Sequence, residues 1–455
     1  PAATKSRVPT AEPLGSSAPN VSAAGAPPEA SVGPVASKEP LVASGNASSA
    51  AATGVEAAAP SAALPNSKPK ADVPAPRAAR AVPADAAGVV DKSDGFLLRL
   101  NNDKREWERV GEGTALGVGD RLLCLAPFRA RVVLAKTPVT LLGETHARVA
   151  GKQPGEPILE LIEGRARIDG SAPPGFFKIV YASQTVGIDW PSRGTLGLER
   201  ASQWHYGQPP AQPAPLAIYA SEGQLKLTLN QLTETLAGPG TILADGGGRF
   251  ETRAAKNLPA WLTEPELSEK DRKLSEQFLR QFSPDRPVLT DIVVATESDS
   301  PVNKKHAIFA VKAMGEFSLL TPILSRPGDS LARQSTISAL RAFIILGPQA
   351  EKRVREALEG EFGEQTGRLV EKLLVGFTPD EAANKETIER LIELLSPRNE
   401  SLALRELALD NLKSITGREN QGYDPDKPDE RALSAWKSLL SPGELKASTK
   451  RKTSG

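Results

Sequence analysis

Ile158-Leu159-Glu160-Leu161-Ile162-Glu163-Gly164-Arg165-Ala166-Arg167-Ile168 decides how the chain is read: two short apolar runs with a Glu-Gly pair between them. The same form recurs on either side. Val118-Gly119-Asp120 precedes Arg121-Leu122-Leu123-Cys124-Leu125, and Glu222-Gly223 precedes Gln224-Leu225-Lys226-Leu227-Thr228-Leu229. Glycine adopts φ > 0 without steric cost, as a tight strand-to-strand turn requires. Alternation beside each glycine then turns one face of the strand inward and the other outward. Residues 158–168 are therefore expected to form two strands about a turn at Glu163-Gly164.

Outward from there, similar runs fill the chain from about Gly95 to Phe250. Phe96–Leu100 and Trp107–Val110 suggest an opening hairpin, with Asn101-Asn102-Asp103 as turn chemistry. Runs at Ala130–Leu134, Val139–Leu142, Phe176–Tyr181, Thr185–Ile188, Thr195–Glu199, Leu216–Ala220 and Thr233–Leu236 continue the series. Many short strands at close spacing predict an all-β sandwich or roll over residues 91–257.

The order of these features resembles a FecR-type domain, the periplasmic part of bacterial anti-sigma regulators named for iron-dicitrate sensing. The run GVGDRLLCL, then ARVVLAKTPVTLLGETHARV, LELIEGRARID, FFKIVYASQTVGI, AIYASEGQLKL and TLAGPGTI carries the likeness. Gly119-Asp120, Glu163-Gly164, Gly194-Thr195 and Glu222-Gly223 stand where the family has its turn motifs. Lys136-Thr137 departs from the family's Asp-Gly, and Asp189-Trp190-Pro191-Ser192-Arg193 interrupts the approach to Gly194-Thr195. The resemblance implies a non-enzymatic sensing or scaffolding module outside the cytoplasmic membrane. A full regulator of this kind also carries an intracellular sigma-binding domain, whose helices are not visible in this sequence.

Residues 1–90 hold Ala, Pro, Ser, Gly and Val and no aromatic residue, too little apolar bulk to offset the entropy of ordering. They read as a disordered tether of roughly 50 Å r.m.s. reach. Residues 258–445 read as helical. Ser268 caps a first amphipathic helix carrying Leu274, Phe278 and Phe282. Three later segments repeat one face. Aligned on Lys304, Arg333 and Arg405, position three on is Ala307, Thr336 and Ala408, and position seven on is Val311, Leu340 and Leu412. That spacing suggests a short HEAT-like α-solenoid, with an irregular helical bundle as the alternative. Residues 446–455 read as a basic disordered tail.

Charge is balanced, with 56 Lys plus Arg against 55 Asp plus Glu, which gives no pull toward nucleic acid. Cys124 is the only cysteine, so an internal disulfide is excluded. The chain begins at Pro1, and a membrane anchor upstream is the only membrane link expected. No catalytic, cofactor-binding or metal-ligating constellation stands out. His146, His205 and His306 lie in separate elements. Glu160 and Glu163, at odd spacing, face opposite ways unless a bulge intervenes, and Asp424, Asp426 and Asp429 fit a turn better than a calcium loop. One cluster is kept as a contact patch for protein or sugar: Trp190, Arg193, Trp204, His205 and Tyr206, whose alternative is packing against the β domain's edge. The expected function is non-enzymatic: an envelope protein, the extracytoplasmic part of an anti-sigma-type signalling protein that binds a protein partner. A structural adaptor that binds cell-wall glycan, peptidoglycan or polysaccharide, is the alternative.

Overall fold

The computed structural model describes residues 86–151, 158–170, 175–190, 194–200, 204–207, 214–253, 257–263, 267–283 and 285–440. Most of the expected tether, the basic tail and Arg193 lie outside them. Among the described residues the first part is all strand. Eight strands, β1 (Gly88–Ser93), β2 (Leu97–Asn101), β3 (Glu106–Val110), β4 (Ala115–Leu116), β5 (Arg121–Cys124), β6 (Ala130–Leu134), β7 (Thr137–Leu141) and β8 (Thr145–Val149), precede the long β9 (Ile158–Gly170). Eight more follow: β10 (Gly175–Tyr181), β11 (Gln184–Trp190), β12 (Gly194–Arg200), β13 (Leu216–Ala220), β14 (Gln224–Leu229), β15 (Leu232–Ala237), β16 (Gly240–Ala244) and β17 (Phe250–Arg253).

The strands pair into two layers that share β9. One runs β4-β1-β6-β7-β9-β12-β13-β16-β17. The other runs β3-β2-β5-β8-β9-β10-β11-β14-β15, antiparallel except for β9 with β10. Alternation works as expected within them: Phe177, Ile179 and Tyr181 of β10 and Leu225, Leu227 and Leu229 of β14 are buried.

Glu163-Gly164 is where the sequence expectation fails. The pair does not turn the chain; β9 is one strand of 13 residues running straight through it. Before Gly164 the strand pairs with β8 and β10, and from Gly164 onward with β7 and β12. Gly164 has φ +101°, and a Cβ there would lie 2.5 Å from Thr145 Cα. Its left-handed backbone thus serves a crossing between layers. Partner residues jump from His146↔Glu163 to Ala147↔Leu161, leaving Ile162 as a bulge. The Thr145 hydroxyl bridges the gap, donating to Arg165 O (2.7 Å) and accepting from Arg165 N (2.9 Å).

The other motif residues behave more locally. Gly119 (φ +92°) sits in the turn before β5, where the Asp120 carboxylate accepts from Gly117 N at 2.9 Å. Gly223 (φ +74°) sits in the turn before β14. Gly194 and Thr195 open β12, and Glu222 is their neighbour in space: a Cβ on Gly194 would lie 2.8 Å from Glu222 O. Ser221 N donates to Thr195 O at 3.0 Å.

Among the described residues twelve α-helices follow: α1 (Ala260–Thr263), α2 (Glu269–Leu279), α3 (Val288–Ala295), α4 (Pro301–Met314), α5 (Phe317–Leu320), α6 (Ser330–Ile344), α7 (Pro348–Phe362), α8 (Glu364–Val375), α9 (Pro379–Ala383), α10 (Lys385–Leu394), α11 (Leu402–Thr416) and α12 (Glu430–Lys437). Ser268 caps α2 as expected, its side chain accepting from Asp271 N. The three aligned segments are α4, α6 and α11, with N-caps Ser300, Asp329 and Ser401, each accepting from the backbone N–H three residues on. Ala307, Thr336, Ala408, Val311, Leu340 and Leu412 are all fully buried. The aligned cations tie helix entrances together: Lys304 reaches the Asp329 cap at 2.5 Å, Arg333 reaches Glu406 at 2.7 Å and Asp426 at 2.8 Å, and Arg405 donates to Pro425 O at 2.9 Å. One continuous apolar core spans the strands and the helices.

Candidate functional site at the junction of sheet and helices

Two groups of side chains that join the β layers to the helices stand out, and they hold Glu163, His146, Trp204, His205 and Tyr206 of the residues singled out above. The first lies at the β9 crossing. The carboxylate of Glu163 meets the ammonium of Lys312, on α4, at 2.7 Å, with the lysine side chain only 3% exposed. Beside it the Trp107 indole N–H donates to Met314 O at 3.4 Å. His146 accepts from Arg121 through Nε2, at 3.0 Å from Nη2, and stands edge-on to Trp107. Burial, with help from the positive Arg121 and Lys312, pulls His146 down to about 3, so it stays neutral and suits that acceptor role. Phe96 packs on Phe282 with tilted rings (4.1 Å) and Phe128 stacks on Phe278 (5.9 Å), extending the contact as an apolar seam.

The second group is the segment Trp204-His205-Tyr206-Gly207. The Arg341 guanidinium lies over the Trp204 ring at 4.1 Å. The Tyr206 hydroxyl donates to Asn411 Oδ1 at 2.8 Å, and Gly207 N donates to Val375 O at 3.2 Å. Gly207 has φ +68°, and a Cβ there would sit 1.8 Å from Phe377 O; Gly376 in turn leaves room for the Tyr206 ring. Behind this clasp Arg341 binds Asp410 at 2.6 Å and Leu374 O at 2.9 Å, and Asn411 donates to Leu373 O at 2.8 Å. The segment therefore closes on the point where α6, α8 and α11 are already cross-linked.

The expected contact patch is thus divided. Trp190 is 4% exposed and packs over Gly175, where a Cβ would fall 2.0 Å from its indole. Trp204 and Tyr206 are half-buried against the helices, His205 is exposed, and Arg193 lies outside the described residues. Glu160 and Glu163 part company as well, Glu160 pairing with Arg148 at 2.6 Å. Asp424, Asp426 and Asp429 all serve the loop before α12: Asp424 accepts from Asp426 N, Asp426 binds Arg333, and Asp429 caps the helix. Cys124 is fully buried, its thiol donating toward Phe128 O at 3.4 Å, and burial pushes its pKa far up.

Lys312 and Arg341 are the junction residues that sequence reasoning passed over. Both stand eight positions after an aligned cation, Lys304 and Arg333 respectively, and Lys413 holds the same place after Arg405. A basic residue recurring on an otherwise apolar helical face was the signal. Lys312 points that charge at β9, and Arg341 points it at the ring of Trp204 in the loop.

No family profile matches the chain, and no curated protein matches it. Two crystal structures of a putative anti-sigma factor from Parabacteroides distasonis ATCC 8503 share 16% and 17% identity with it, each at a TM-score of 0.24. The likeness covers 32% of this chain and 64% and 65% of those chains. Among the described residues, no helix is long and apolar enough to cross a membrane.

Proposed function

We propose that the chain is a non-catalytic protein of the bacterial envelope, the periplasmic regulatory part of an anti-sigma-type signalling protein, and that it acts by binding another protein. The FecR-type order of Gly-Asp, Glu-Gly, Gly-Thr and Glu-Gly supports the reading. The observation that carries it is the position of Glu163-Gly164. This pair holds the crossing of the central strand, and its carboxylate is bound by Lys312 of the helical region. A partner that prefers one arrangement of helices against strands would shift the balance between docked and released forms, in proportion to its differential affinity for the two.

Deleting the protein from the cells that make it is expected to change transcription from promoters of an alternative sigma factor severalfold. Unchanged transcription with altered cell-wall glycan would overturn the reading in favour of the adaptor. Turnover of a glycan or peptide by the purified chain would overturn its non-catalytic part.

A further inference from the structure

On the outer face of β10, β11 and β14, away from both junctions, lies an open groove of about 660 Å³. Its floor is Gly187, in the middle of β11. A glycine inside a strand costs stability and needs a reason. Here the fold supplies none. Gly187 has no left-handed backbone, and a Cβ would find only ordinary contacts, 3.5 Å from Phe176 Cε2 and 3.8 Å from Thr228 Cβ. What the missing side chain leaves is a shallow bed beside the Phe176 ring, which is 41% exposed.

The rim is polar and nearly uncharged: the hydroxyls of Thr185 and Thr228, the amides of Gln184 and Asn230, and no carboxylate. Gln184 is anchored through Nε2 to Gly246 O at 2.8 Å and its carbonyl oxygen is buried without a hydrogen bond, so this amide shapes the rim rather than receiving a ligand. The only charge in the lining is that of Lys178, whose ammonium lies 5.6 Å from the Phe176 ring centre. A peptide adding as a strand does not fit, because β10, β11 and β14 are each paired along both edges. The occupant has to be read by side chains, through one aromatic face and a ring of groups that both donate and accept.

We propose that this groove is a saccharide-binding site. One pyranose lays its C–H face on Phe176 above Gly187, and its hydroxyls meet the amide and hydroxyl rim. The proposal is independent of the regulatory reading, whose test is transcription.

The test is calorimetric titration of the full chain with chitohexaose and with a galacturonate hexamer, for wild type, Gly187→Val and Phe176→Ala. Wild type is expected to bind at least one of them. Gly187→Val is expected to keep or raise the melting temperature, since valine favours strands, while weakening binding at least about tenfold by filling the bed. Phe176→Ala is expected to weaken it equally without unfolding the chain. Absence of wild-type binding to both sugars, or binding unchanged in the folded variants, would overturn the proposal.

Discussion

The two junctions between strands and helices are built on different physics. At the β9 crossing the contact is made by residues inside regular elements, and its centre is a buried ion pair. At the clasp it is made by four loop residues, held by a guanidinium over an aromatic ring, one hydroxyl and a glycine with no room for a side chain. The first kind of contact is costly to half-break. The second is costly only to crowd. A regulated separation would therefore start at the clasp, and the ion pair would set how far it goes.

Removing one member of the ion pair gives the largest expected effect. Glu163→Ala leaves Lys312 charged and buried, and is expected to lower unfolding stability by about 3–5 kcal/mol. The double variant Glu163→Met with Lys312→Met is expected to recover most of that loss. Denaturant titration of the three proteins checks it, and equal losses in the single and double variants would mean the pair is not the centre of the junction.

Gly207→Ala comes next. The left-handed backbone and the approach to Phe377 O predict a loss of about 1–3 kcal/mol. Hydrogen exchange should rise first at the amides of the clasp, and at those of β9 least.

The smallest effect, over the first unit of acidification below 6.5, is pH-dependent and belongs to the first junction. His146 has its folded pKa lowered to about 3, so the unfolded chain binds its proton first. The stability this contributes is complete above the ordinary value of 6.5 and drains away as pH falls toward 3. About 1 kcal/mol should be lost for each unit below the unfolded value. His146→Gln should flatten the slope, leaving the smaller share of His306, which burial also lowers.

Legibility followed the range of the interactions. The Ser268 cap and the shared apolar face of α4, α6 and α11 depend on residues three to ten apart, and the sequence carries them openly. Glu163-Gly164 reads locally as a turn because a turn and a layer crossing ask the same of glycine. The difference lies in Thr145 and in Lys312, which is 149 residues away. Tyr206 and Asn411 are 205 residues apart, so an aromatic loop that clasps helices looks, from its own neighbourhood, like a loop that faces solvent. The strands β1 and β8 were missed for another reason: Asp91, Lys92, His146 and Arg148 interrupt runs whose inward residues are Val90, the polar Thr145, Ala147 and Val149.

The shared strand has a consequence for how the chain is made. Eight strands leave the ribosome before β9, four destined for each layer, and the innermost of each set, β7 and β8, lack their central neighbour until residues 158–170 emerge. Any break in translation before that point would release two incomplete sheets with raw inner edges, the sort of product that chaperones must hold or proteases clear.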